Sequence, residues 1–179
     1  MAVDRDALLE ILRADAVVVG RVVLSSGRAA DHYVDLRRVT LSSVGAPLAG
    51  RVMLELTRGL EYDAVGGLTL GADPLAAAML HAAAATGRRL DAFVVRKEGK
   101  AHGLQRRIEG PDVTGRRVLA VEDTSTTGAS VLTAVGALRE AGADVVAVAV
   151  LVERGAAPAI VAAGLPYLAA YSMADLGLD

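Results

Sequence analysis

Residues 122–130 read Glu-Asp-Thr-Ser-Thr-Thr-Gly-Ala-Ser and directly follow the apolar run Val118–Val121. Two adjacent carboxylates in that place are costly to bury unless a cation or hydroxyl donors meet them. Glu122 and Asp123 are therefore candidates for gripping a diol. Thr124, Ser125, Thr126, Thr127, Gly128, Ala129 and Ser130 form a small, hydroxyl-rich turn into a helix. Free backbone N–H groups at such a helix start make an anion site. No Gly-Lys-Ser/Thr follows, so the turn is not a nucleoside-triphosphate loop, and it lacks the spaced glycines of a dinucleotide site. A capped helix with solvated acids explains Ser125 or Thr126 but not the whole block. Acid pair and phosphate cradle together suit one ligand with both a phosphate and a diol, such as a ribose 5-phosphate.

Three further segments carry candidate groups. Thr69-Leu70-Gly71-Ala72-Asp73-Pro74 is a glycine-containing turn into a helix that could present amides to a second anion, with Asp73 as N-cap or metal-facing group. A plain capped turn explains it as well. Arg96-Lys97-Glu98-Gly99-Lys100-Ala101-His102-Gly103 opens a polar, glycine-punctuated stretch with no clear element of its own, a lid over about residues 97–113. Its cations suit a polyphosphate whose charge grows as it leaves, against the plainer alternative of a solvated charge run. All but two of the 19 basic residues are arginine, and the two lysines, Lys97 and Lys100, both fall here. Arg154, after another apolar run, could grip a carboxylate bidentately or lie on the surface. His81 reads as core or groove, and His32 beside Tyr33 as structural.

The elements that must position these groups follow from periodicity. A helix over about 5–14 capped by Asp4 is followed by short strands at 17–24 and 32–36 around the turn Ser25-Ser26-Gly27-Arg28. A helix over about 43–58 ends at Gly59. Strands at 64–68, 91–96, 117–122, 145–153 and 167–171 then alternate with helices at 74–86, 128–141 and 157–163. Continuous apolar strands alternating with helices predict an α/β fold, a parallel, Rossmann-like sheet flanked by helices. Ligands bind such sheets at the carboxyl ends of the strands, where all the candidate groups lie.

Composition excludes several classes. A chain of 179 residues is one domain's length, with 53% hydrophobic and 22% charged residues, which excludes a disordered tail. The net charge of −2 argues against a nucleic-acid partner, and 3% aromatics without Trp against a base-stacking platform. No cysteine is present, so there is no disulfide, thiolate metal site or cysteine nucleophile. The longest apolar run, Val145–Val152, is far short of the roughly 20 residues of a membrane span. The acidic N-terminus lacks a signal peptide's apolar region. The expectation is a soluble, cytoplasmic, single-domain protein with no membrane or nucleic-acid partner.

The block Val121–Gly128 resembles the phosphoribosyl-diphosphate (PRPP) motif of the type I phosphoribosyltransferases. Arg96-Lys97-Glu98 with Lys100, His102 and Gly103 is similar to the catalytic loop of the orotate branch of that superfamily, and Ser26-Gly27-Arg28 and Glu153-Arg154-Gly155 support it. The resemblance covers about residues 20–155. It implies the superfamily's fold, with a small hood from about residues 1–40 and part of the C-terminal tail. It also implies transfer of a phosphoribosyl group from PRPP to orotate, giving orotidine 5′-monophosphate and pyrophosphate in pyrimidine biosynthesis. Glu122 and Asp123 would hold the ribose hydroxyls and Thr124 to Ser130 the 5′-phosphate. Thr69, Leu70, Gly71, Ala72 and Asp73 would form the pyrophosphate loop. Arg96, Lys100 and His102 would bind the diphosphate, joined by Lys97 from the neighbouring subunit of a homodimer. Thr126 and Arg154 would contact orotate, and Lys100 and Asp123 stand as the catalytic pair. Mg²⁺ would be held mainly by substrate, with no protein ligand assigned.

Two departures stand out. Many members have Lys where this chain has Ser25, and some have a glycine-rich lid where this chain reads Leu104-Gln105-Arg106-Arg107. A purine-base phosphoribosyltransferase would make Arg154 dispensable, and a PRPP-sensing regulator would need a basic face. A Rossmann-like nucleotide binder leaves the two lysines and the lid unexplained.

Overall fold

A computed structural model describes residues 2–23, 29–98 and 107–178 of the chain. The Val- and Ala-rich runs form a six-stranded sheet of β3 (Ala64–Leu68), β4 (Asp91–Val95), β5 (Ile108–Glu109), β6 (Arg117–Ser125), β7 (Asp144–Glu153) and β8 (Tyr167–Ser172). Its order is β5-β4-β3-β6-β7-β8, parallel except for β5, which runs antiparallel to β4. Side chains alternate along β6 as the strand period requires. Leu119 and Val121 join one core with Met53, Met79 and Tyr171, while Val118 and Ala120 join a second with Val131, Leu138 and Ile160.

Helices α1 (Ala2–Ile11), α3 (Gly45–Leu56) and α4 (Ala72–Ala85) cover the first face, and α5 (Ala129–Glu140) with α6 (Ala157–Ala162) the second. After α1 and a π-helical turn at Leu12–Ala16, β1 (Val17–Val23) and β2 (Ala29–Val34) pair only with each other, before the short α2 (Arg37–Thr40).

The expected parallel sheet flanked by helices is present, with instructive differences at element ends. Asp4 lies inside α1 and pairs with Arg51 at 2.9 Å instead of capping the helix. The second strand starts at Ala29 and ends at Val34, because the chain turns into α2 at Arg37. The 91–110 connection holds one more element: Arg96 N donates to Arg107 O at 2.7 Å, so the returning chain lies along β4 as β5. The strand expected to stop at Glu122 runs on to Ser125, because β7 pairs with it as far as Glu153.

Close approach of α3 to α4 depends on Gly50. A Cβ there would lie 2.3 Å from the carbonyl oxygen of Ala78, against backbone that has no flexible end to move. Gly50→Ala should therefore cost about 1–3 kcal/mol of overpacking. Thermal unfolding should show a midpoint several degrees lower, and an unchanged midpoint would refute that account of the contact.

Candidate active site

β6 carries the acid pair into the interior. Glu122 is 5% and Asp123 9% exposed, and Thr124 N–H donates to Asp123 Oδ1 at 2.6 Å. Burial pushes the Glu122 carboxyl up to about 8, and the Asp123 charge adds to the effect. Burial also raises Asp123, while the Thr124 amide, Glu122 and Arg37 pull it back. One proton shared between the two carboxyls is the expected state of a desolvated pair. Gly71 packs against both: a Cβ there would sit 2.6 Å from Glu122 Oε1 and 2.7 Å from Asp123 Oδ1.

Thr69 follows β3, whose carboxyl end lies beside β6, and its N–H donates to Val95 O at 2.8 Å. The Thr69–Leu70 peptide is cis. Asp73 is not the N-cap: α4 starts at Ala72. Its Oδ2 accepts the Thr69 hydroxyl at 2.6 Å, burial raises its pKa, and its buried Oδ1 takes no donor among the described residues. The carboxylate therefore braces the turn from inside.

The turn and the acid pair share a cleft of about 290 Å³. Thr69, Leu70 and Gly71 line one part of it, and Glu122, Asp123, Thr124 and Ser130 another. Tyr33, Asp35 and Arg37 also line it, residues the sequence did not single out because they lie far from the motif in the chain. Lys97, which the resemblance assigns to the neighbouring subunit's site, lines the cleft of its own chain. Arg96 does not: it pairs with Glu109 at 3.6 Å. Lys100, His102 and the turn Ser25–Arg28 lie outside the described residues.

Gly128 adopts φ +79°, a left-handed conformation that glycine reaches without a Cβ penalty. That turn aims the first amides of α5 outward beside exposed Thr126, Thr127 and Ser130. Thr126 and Arg154 meet in a neighbouring cleft of about 480 Å³, closed by Ser172, Met173, Ala174 and Leu178. Arg154 N–H donates to Ser125 O at 3.1 Å, so the Arg154 turn leaves β7 level with the end of β6. Glu153 accepts the Gly155 N–H at 2.5 Å and the Tyr167 hydroxyl, which ties that turn to β8. The C-terminal wall carries no motif and was invisible in the sequence.

Among the described residues no three His, Asp or Glu side chains come together as a metal cage, and no helix is long and apolar enough to cross a membrane. His81 is exposed and lines a separate apolar groove between α3 and α4, of about 790 Å³.

Sheet, acid pair and amide turns define the class, a phosphoribosyl transferase domain, and the family model of that description matches residues 39–160. An orotate phosphoribosyltransferase of Streptomyces avermitilis is 67% identical over 178 residues, covering 98% of each chain. The crystal structure of Mycobacterium tuberculosis orotate phosphoribosyltransferase with Fe(III) dicitrate superposes with TM-score 0.90 at 59% identity, over 98% of this chain and 99% of that one. The same enzyme in complex with PRPP gives TM-score 0.85 at 54% identity, with coverages of 98% and 99%. The chain belongs to the orotate phosphoribosyltransferase family.

The raised Glu122 has a measurable consequence. Unfolded, this carboxyl loses its proton near its ordinary value of 4.5; folded, it keeps it up to about 8. Unfolding releases a proton in that window, so stability falls as pH rises through it. The ligand-free protein should lose a few degrees of thermal midpoint between pH 6 and 8, and Glu122→Gln should flatten that slope. A midpoint that rises with pH in both proteins would contradict the buried, protonated pair.

Proposed function

We propose that this chain transfers the 5-phosphoribosyl group of PRPP to orotate, giving orotidine 5′-monophosphate and pyrophosphate in pyrimidine biosynthesis in the cytoplasm. The observation that carries the proposal is one row of chemistry along the end of β6. The diol-gripping acids and the turn Thr69–Gly71 share a cleft, and the Thr126–Arg154 cleft lies beside it.

In this assignment Glu122 and Asp123 accept the ribose hydroxyls, and the amides and hydroxyls from Thr124 to Ser130 take the 5′-phosphate. The pyrophosphate loop Thr69–Asp73 presents amides to the leaving diphosphate. Arg154 pairs with the orotate carboxylate, and Thr126 contacts the ring. An orotate ring nitrogen forms the new bond to ribose C1, the bond from C1 to the diphosphate oxygen breaks, and the nitrogen gives up its proton. Positive character grows at C1 while negative charge grows on the leaving group. The lid cations Lys97, Lys100 and His102, with Arg96 just before the lid, therefore stabilise the transition state more than the ground state. Closure of the lid excludes the water that would hydrolyse the activated sugar. The carboxyl oxygens of Glu122 and Asp123 in the cleft suit a hard cation such as Mg²⁺, which would be held mainly by substrate and would supply positive charge against the diphosphate.

The direct test is loss of orotate with PRPP and Mg²⁺, with uracil and purine bases in parallel. Orotate should be consumed with stoichiometric pyrophosphate; turnover of a purine base instead would discard the role of Arg154. Lys100→Ala should lower kcat by about 10²-fold or more, the loss expected of an oxyanion stabiliser, and near-normal turnover would remove Lys100 from the machinery.

The proposed functional unit is a homodimer with Lys97 acting across the interface. In support, the groove between α3 and α4 is an apolar surface of the kind that protein interfaces cover. Subunit mixing decides between this and the own-chain placement of Lys97. If Lys97 acts in trans, equal mixing of inactive Lys97→Ala and Arg154→Ala subunits restores about a quarter of wild-type activity, one good site in half of the dimers. If Lys97 serves its own chain, every mixed site lacks one residue and activity stays near zero.

A further inference from the structure

Arg37 lines the acid cleft with Thr69, Gly71 and Lys97, and none of the roles above uses it. Its guanidinium is held in place by its own neighbours. Nε donates to Asp35 Oδ1 at 2.8 Å and Nη2 to the Tyr33 hydroxyl at 3.3 Å, while the Arg37 backbone N–H reaches the same Asp35 oxygen at 3.2 Å. Among the described residues Nη1 has no hydrogen-bond partner, and the side chain is 40% exposed.

An arginine fixed on two sides and open on a third has already lost much of the rotamer freedom that anion binding would cost it. The charge balance of the cleft points the same way. Glu122, Asp123 and Asp35 line it on the acidic side, and Arg37 and Lys97 are its cations among the described residues. Lys97 is exposed beyond the end of β4, whereas Arg37 starts the short helix α2, which packs against the turn Leu12–Ala16, α3 and α4. A cleft that admits a diphosphate beside carboxyls needs a preorganised cation to offset their charge.

We propose that Arg37 is a diphosphate-binding residue, meeting PRPP oxygens in the cleft that it shares with the turn Thr69–Gly71. This rests on the assignment of the cleft to PRPP. Arg37 stands with the pyrophosphate loop and not in the Thr126–Arg154 cleft, so its loss affects one substrate and spares the other.

The experiment is calorimetric binding of PRPP with Mg²⁺ to wild type, Arg37→Ala, Arg37→Lys and Asp35→Asn, with KM measured for both substrates. Arg37→Ala should weaken PRPP binding about tenfold or more and raise its KM, leaving the orotate KM within about twofold. Arg37→Lys should recover only part, since an ammonium cannot keep Asp35 and a phosphate in one plane. Asp35→Asn should shift PRPP the same way by less. Unchanged PRPP affinity in folded Arg37→Ala, or a rise confined to the orotate KM, overturns the proposal. If the alanine variant fails to fold, unchanged PRPP affinity in Arg37→Lys and Asp35→Asn together overturns it. Unchanged PRPP affinity in Asp123→Asn as well would instead overturn the assignment of the cleft to PRPP, and the role of Arg37 with it.

Discussion

Burial of two neighbouring carboxyls at the end of the central strand is the constraint on which this molecule is built. Glu122 and Asp123 are almost wholly removed from water, and neither has an ion-pair partner in hydrogen-bond contact among the described residues. Such a pair unfolds a weaker framework, because the desolvation cost falls on the strand that carries it. Here the strand is β6, paired on one side by β3 and on the other by β7. The remaining relief is local: the Thr124 amide on Asp123, a shared proton, and the nearby charge of Arg37. Under the proposed assignment a ribose diol completes it by donating both hydroxyls, and binding energy becomes selective for a sugar over water.

From that fixed point the rest of the reacting system is laid out by strand geometry. Successive parallel strands end side by side, so the turns after β3, β6 and β7 deliver three kinds of group to one edge. The turn after β3 brings amides braced by Asp73, the turn after β6 brings the amides of α5, and the turn after β7 brings Arg154. Gly71 is what lets the first approach the second, since a side chain there would meet both carboxyls. Bond exchange at a ribose carbon needs the leaving group and the nucleophile on opposite sides of the sugar. The acid pair lies between the Thr69–Gly71 turn and the Thr126–Arg154 cleft along the sheet edge, in keeping with that need.

Much of this was legible in the sequence because the chemistry is local. Glu122 to Ser130 is one stretch whose residue types state both halves of a ligand, and apolar strands alternating with helices announce a parallel sheet. What escaped was set by tertiary pairing. The extension of β6 through the acids depends on β7 beside it, and the two residues of β5 exist only because Arg107 returns to Arg96. Tyr33, Asp35 and Arg37 carry no recognisable spacing, and they reach the cleft because the chain leaves the hairpin toward it. Asp73 was expected as N-cap or metal-facing group; it lies inside α4 instead of capping it, and its Oδ2 accepts the Thr69 hydroxyl. Propensity sees the helix start and cannot see which way the first-turn carboxylate faces.

The acceptor cleft shows why the two ends of the chain had to meet. Its outer wall runs from Ser172, the last residue of β8, to Leu178, with only a single turn of 3-10 helix of its own. Left alone, such a tail would fray. Asp175 closes it locally by accepting the Ser172 amide at 2.8 Å and the Ser172 hydroxyl at 3.0 Å. Contacts with the first helix and the turn after it then lock it: Arg13 Nε donates to Asp175 O at 2.8 Å, and the Tyr171 hydroxyl donates to Arg5 O at 2.7 Å, with the Arg5 guanidinium over the Tyr171 ring. Shape at the acceptor side therefore rests on residues more than 150 positions apart, with separations of 162 and 166 in these two bonds. The acid pair needs only a strong strand, whereas the wall of the Thr126–Arg154 cleft needs the whole chain closed upon itself. Under the proposed assignment, base discrimination is accordingly a property of the completed domain, and sugar recognition a property of one strand and its turn.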